Sequence, residues 1–262
     1  MDNANSLIHV RDCWKSFPGK KAGGQVHVLE RVNLDVNAGE FVCVVGPSGC
    51  GKSTLLNIIG GFFKESRGEV KVAGAPVNGP DPRRIFVFQE NGVFPWLTVE
   101  ENIGFGLMSR PAEERKERVT HYINMVGLTG FEKSYPRELS GGMRQRVEIA
   151  RALAANAEVL YMDEPFGALD FLTRIKMRTD LIRIWQAEKK TIVFVTHDIE
   201  EAVQLADRVL VMSRRPATVA EEVVVNLPRP RDLDSPGYLA ARDRIFAIMG
   251  MDVHGGGVGD PK

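Results

Sequence analysis

Eight consecutive residues, Gly46-Pro-Ser-Gly-Cys-Gly-Lys-Ser53, followed by Thr54, carry the densest chemistry in the chain. They fit the spacing G-x-x-x-x-G-K-[ST] of a phosphate-binding loop. Glycines remove Cβ atoms, so successive backbone N–H groups can curl around an anion. A helix beginning at the loop points its positive end, roughly half an elementary charge, at the same place. Lys52 is placed to reach the β- and γ-phosphates of a nucleoside triphosphate, and the Ser53 hydroxyl to ligate Mg²⁺. Gly46, Pro47, Ser48, Gly49, Cys50, Gly51, Lys52, Ser53 and Thr54 are therefore expected to bind a nucleotide. Cys50, beside the phosphates, raises the expectation of an activity sensitive to thiol alkylation.

Three further polar groups follow apolar runs. Gln89 ends Ile85-Phe-Val-Phe88, Asp163-Glu164 ends Val159-Leu-Tyr-Met162, and His197 follows Thr191–Thr196. Parallel sheets gather such strand ends at one edge, where ligands bind. Asp163 suits a Mg²⁺-holding carboxylate. Glu164 could orient and deprotonate an attacking water, help worth on the order of 10²–10⁴ in rate. His197 could hold that water in line, although a lone histidine is as a rule structural. Ser140, with Gly141 and Gly142, opens a helix running to Ala155; it reads either as a second anion-ready helix start or as an ordinary capped one. Phe17 or Trp14 could stack on an adenine ring, and core packing is the other reading of each.

Positioning these groups requires alternating strands and helices. Residues from Ile8 to Val45 read as β-rich: Val32-Asn-Leu-Asp-Val36 alternates, and Phe41-Val-Cys-Val-Val45 is a buried strand. Gly68–Ala73 gives another strand. From Thr98 to about Ala155 the pattern is helical, with capping-box spacing at Thr98-Val-Glu-Glu101 and Pro111 at a first helical position. Strand–helix alternation then resumes: a helix over Phe171–Lys189, a helix capped by Asp198 and ending at Leu205, and strands Arg208–Met212 and Glu221–Val225. A short helix is expected near Leu239–Met249, and disorder at the Gly255-Gly-Gly end.

Composition narrows the partners. Lys plus Arg and Asp plus Glu number 34 each in 262 residues, so net charge is zero. That argues against a nucleic-acid backbone or an anionic membrane surface as the partner. The polar start Met1-Asp-Asn-Ala-Asn-Ser predicts no secretory signal, and no run reaches the roughly 18–20 apolar residues of a membrane span. Cys13, Cys43 and Cys50 have no metal-like spacing and suit a reducing compartment.

In order and spacing, Gly46–Thr54, Gln89, Leu139-Ser-Gly-Gly-Met143, Val159–Glu164, Ala168-Leu-Asp170 and His197 resemble the ATP-binding subunits of ABC transporters, over roughly residues 7 to 230. The resemblance implies an α/β fold with a P-loop NTPase (RecA-like) core, an N-terminal antiparallel β subdomain and an inserted α-helical subdomain. Residues 1–95 and 156–230 would form the core with its β subdomain, 96–155 the helical insert and 231–262 a tail. It implies that Phe17 stacks on adenine, that Gln89 contacts Mg²⁺ and couples to a membrane subunit, and that Ser140, Gly141 and Gly142 close over the γ-phosphate held by an opposite subunit. Asp170 would lie at that dimer interface. ATP and Mg²⁺ are the implied cofactors. The implied partners are a second copy, head to tail, and integral membrane permease subunits, with a periplasmic or extracellular solute-binding protein engaged indirectly. The site of action would be the cytoplasmic face of the inner (plasma) membrane. Met143 departs from the family's usual Gln. Asn91-Gly-Val-Phe-Pro-Trp-Leu-Thr-Val99 and Leu227-Pro-Arg-Pro-Arg-Asp232 resemble the importer subgroup for nitrate, sulfonates and taurine, with Trp96 facing the membrane subunit. A soluble ABC-type ATPase of DNA maintenance would need long coiled coils between Gln89 and Ser140, where only about 50 residues stand. An exporter ATPase and a small-molecule kinase compete with the importer reading; the kinase would have no use for Leu139–Met143.

Overall fold

The computed structural model describes residues 6–19, 24–88, 92–155 and 157–251. They group into two compact units: residues up to 79 together with those from 194 onward, and residues 80–193. The fold is mixed α/β.

In the first unit, β1 (Ser6–Pro18) pairs antiparallel with β2 (Gln25–Asn37) on one side and β4 (Arg67–Val72) on the other, and β5 (Ala75–Pro76) extends the sheet to the order β2-β1-β4-β5. The expected period-two pattern holds: Ile8 and Val10 on β1 and Val32, Leu34 and Val36 on β2 are all buried. β3 (Phe41–Val45) is buried at all five positions and lies parallel to β9 (Arg208–Met212), which pairs antiparallel with β10 (Val219–Val224). An apolar run buried on both faces is what a parallel strand requires. Three helices complete the unit: α1 (Lys52–Gly60), α6 (Ile199–Leu205) and α7 (Pro236–Ile248). Residues 228–251 pack down on the unit. Arg229 donates to Asp207 and to the Leu205 carbonyl, both at 2.7 Å, and buried Tyr238 on α7 donates to the Glu200 carbonyl at 3.3 Å.

In the second unit, β6 (Arg84–Val87) lies parallel to β7 (Val159–Asp163), with Val87 opposite Met162. α2 (Val99–Gly104), α3 (Ala112–Met125) and α4 (Gly141–Ala154) pack together, and α5 (Phe171–Glu188) follows β7. The boundary between the units falls within β8 (Thr191–Val195). The helical stretch expected from Thr98 to Ala155 is three helices separated by turns, because Pro111, Gly127 and Pro136 interrupt it. Pro111 is the N-cap of α3, with ψ 145°, and not its first helical residue. The capping box at Thr98 and Glu101 is present, each side chain meeting the other's backbone N–H. The Gly255-Gly-Gly end lies outside the described residues.

Candidate nucleotide and partner sites

The phosphate loop connects the apolar strand β3 to α1. Gly51 has φ 125°, a conformation closed to other residues, and a Cβ there would lie 2.8 Å from Val28 Cγ1 on β2. Lys52 is buried, and its ammonium donates to the Gly46 carbonyl at 2.9 Å and the Pro47 carbonyl at 3.2 Å. Its side chain thus curls back over the loop. No side chain caps α1 and no acidic residue stands in its first turn. A glycine-built turn, a buried cation and a helix start without carboxylates fit a polyphosphate. Ser53, the residue after Lys52, offers a hydroxyl, a hard oxygen of the kind Mg²⁺ prefers. Arg215 donates to the Gly49 carbonyl from the turn after β9. Cys50 is buried, and burial raises its thiol pKa although Lys52 pulls the other way. Burial of the thiol and its raised pKa both work against ready alkylation, since the thiolate is the reactive form.

Also in the first unit, the Thr196 N–H donates to the Val44 carbonyl at 3.2 Å, so His197 stands at a strand end beside the end of β3. A tight arrangement holds that turn. Thr196 Oγ1 donates to buried Glu201 at 2.6 Å and accepts from the Asp198 N–H at 3.0 Å, while Asp198 caps α6 through the Glu201 N–H. His197 itself is exposed. Of the two aromatic candidates, the Trp14 indole N–H is engaged by Asp12 at 3.1 Å. Phe17 is half-buried, meets the exposed Phe63 ring edge-on at 5.6 Å and has the Lys15 ammonium 4.8 Å from its centroid.

In the second unit, Asp163 is the last, buried residue of β7, and Glu164 follows with φ 48°. A non-glycine residue in the left-handed region costs about 1–3 kcal/mol and is characteristic of functional sites. Ser140 is the N-cap of α4, its hydroxyl accepting from the Met143 N–H at 3.2 Å, so Met143 serves the cap through its backbone. Asp170 is the N-cap of α5, accepting from the Thr173 N–H at 3.0 Å; hydrogen bonds from the Thr173 hydroxyl and then its N–H hold the carboxyl below the usual range. Gln89 lies outside the described residues.

The same unit carries a groove of about 840 Å³ between α2 and α3. Trp96, Phe105 and Met108 line it and are 69%, 51% and 71% exposed. The backbone leading to Trp96 is held by two buried side chains that sequence reasoning missed. Asn102 on α2 accepts from the Phe94 N–H at 2.8 Å and donates to the Leu97 and Thr98 carbonyls at 2.9 Å. Glu148 on α4 accepts from the Gly92 N–H at 2.8 Å. For Glu148 the signal in the sequence was a carboxylate between apolar neighbours, Val147-Glu-Ile-Ala150; Asn102, after Glu100-Glu101, gave none.

A family model described as ABC transporter matches residues 29–167. The chain is 51% identical over 225 residues to a Brucella abortus (strain 2308) chain described as an ATP-binding protein, covering 83% of this chain and 86% of that one. It is 47% identical over 239 residues to an aliphatic sulfonates import ATP-binding protein of Bacillus cereus, covering 91% and 94%. Among solved structures it is similar to a dimeric post-hydrolysis state of an ATP-binding cassette bound to ADP and Pi, with TM-score 0.75 and 34% identity over 85% of this chain and 100% of that one.

Proposed function

This chain belongs to the ABC transporter family, and we propose that within it the chain drives an importer for nitrate, a sulfonate or taurine. It is an ATP-binding subunit and an ATPase. The importer reading draws support from the sulfonate-import relative and from the segment around Pro95-Trp96. Lys52 and the start of α1 hold the β- and γ-phosphates, and half-buried Phe17 carries the adenine. Ser53 and Asp163, with Gln89, would hold Mg²⁺, which when bound neutralises charge developing on the phosphates. Glu164 takes the proton of the attacking water; its strained backbone supports that role. His197 keeps water and phosphate in line. Ser140, Gly141 and Gly142 meet the γ-phosphate on a second copy, packed head to tail, with Asp170 at the contact. The dimeric state of the solved cassette supports this arrangement.

The observation that carries the transport reading is the groove beside Trp96. No helix among the described residues is long and apolar enough to cross a membrane. Yet this chain exposes an indole, a phenyl ring and a thioether around one opening. Such a concave apolar site suits a protein segment, and exposed Trp is a frequent interface anchor. The partner would be an integral membrane permease that in turn receives a solute-binding protein on its far side. The chain would then be peripheral, at the cytoplasmic face.

A tagged pull-down from detergent-solubilised membranes tests this reading. The wild type should recover a polytopic membrane protein. Trp96→Ala should weaken that recovery by roughly 30-fold in affinity, the effect of an interface anchor worth about 2 kcal/mol, and leave ATP binding intact. Recovery only from the soluble fraction, alone or with nucleic acid, would remove the transport claim and leave the ATPase standing.

A further inference from the structure

Glu148 lies two turns into α4 and is 0% exposed. A buried carboxylate is costly unless hydrogen bonds replace its water. Here they do: one oxygen accepts from the Phe88 N–H at 3.0 Å and the other from the Gly92 N–H at 2.8 Å. Burial pushes its pKa up, and these two bonds pull the other way. The fit around Gly92 is close. A Cβ there would come 2.7 Å from the carboxylate oxygen, so only glycine lets the backbone approach. One turn further along α4, Arg151 donates to the Gly92 carbonyl at 2.8 Å and its guanidinium lies 4.6 Å from the Phe94 ring centroid. Phe94 in turn stands 5.6 Å from the Trp96 ring and 4.6 Å from Phe105, ring centre to ring centre.

A continuous set of contacts thus runs from α4 to the lining of the groove. The other end of α4 is capped by Ser140. We propose that Glu148 is a positioning residue that fixes the Gly92–Trp96 segment to α4, so that the Ser140-Gly141-Gly142 end and the Trp96 end move as one body. This rests on the reading that Ser140 responds to ATP and Trp96 to a partner. Glu148 touches neither; it acts through the backbone it holds.

Two measurements on the full chain test the clamp. The first is amide hydrogen exchange. Glu148→Gln keeps the volume but has one acceptor oxygen, and its NH₂ would face an N–H. Exchange at Phe88 or Gly92 should rise at least tenfold, the equivalent of about 1.4 kcal/mol, while the α4 peptides stay protected. Gly92→Ala, which leaves Glu148 in place, should do the same. The second uses Trp96 as the only indole, in a Trp14→Phe, Trp185→Phe background. ATP should shift its emission, and Glu148→Gln should abolish the shift without changing the ATP dissociation constant. Unchanged exchange in both variants, no shift in the parent, or a shift that survives Glu148→Gln would each overturn the proposal. Failure of the transporter reading would show separately, in the absence of a co-purifying membrane protein.

Discussion

The phosphate loop and the Gly92–Thr98 segment both follow β-strands, but opposite means hold them. In the loop, local polar contacts predominate: Lys52 reaches back to Gly46 and Pro47, and the Cys50 N–H donates to the Pro47 carbonyl, while Arg215 adds a bond to the Gly49 carbonyl from further along the chain. Glycine geometry does the rest. In the second region, side chains far along the chain grip the backbone, with Glu148 lying 56 residues from Gly92. A site built from its own backbone leaves a motif. A site held by distant side chains leaves only polar residues that look like any others on their helices.

The largest effect is expected where a single side chain does the chemistry and neither kind of support is touched. Glu164→Gln should keep ATP binding, lower turnover by on the order of 10²–10⁴, and accumulate an ATP-bound dimer. Single-turnover assays and light scattering would show both. Retained turnover would mean that the strained backbone at Glu164 positions something other than the base, and the contrast would then have to include the β7 end.

A smaller effect sharpens the local side. Lys52→Ala removes charge-assisted bonds worth about 1.5–3 kcal/mol, so ATP affinity should fall roughly ten- to a hundredfold by equilibrium titration. The thermal midpoint should hardly move, because the partners it leaves are loop carbonyls open to a ligand site. An equal loss of stability would show that the loop depends on Lys52 for its shape and is less self-supporting than its glycines suggest.

This asymmetry explains what could be read from the residues alone. Gly46–Thr54 was legible because sterics at Gly51 and the helix start dictate it locally. The apolar runs of β3, β7 and β8 were legible because strands buried on both faces need continuous hydrophobicity. The capping box at Thr98 was too. The three-way division of the helical stretch was not, because capping and packing decide where each helix stops after Pro111 or Gly127. The choice between Trp14 and Phe17 was open in sequence because both are aromatics on β1, and both are half-buried. Glu148 and Asn102 were missed for the physical reason given above. A buried polar residue declares its partner only in three dimensions.

The smallest effect on activity, and the sharpest on the second region, is expected from Asn102→Leu. Asn102 is 0% exposed and leucine keeps its volume, so little cavity forms. What is lost is polar. The Phe94 carbonyl keeps its bond from the Leu97 N–H, and the Thr98 carbonyl its bond from the Asn102 N–H. The Phe94 N–H and the Leu97 carbonyl lose the side-chain partner that Asn102 gave them. At about 1–3 kcal/mol for each of the two groups left unpaired, the cost is about 2–6 kcal/mol, which lowers the unfolding midpoint by roughly 4–24 °C. ATP affinity should stay within about twofold, since distant substitutions act independently to within a few tenths of a kcal/mol. Calorimetry and titration on the same sample decide it. A large fall in affinity would show that the two regions share their support, and the distinction between a self-built loop and a side-chain-held segment would fail.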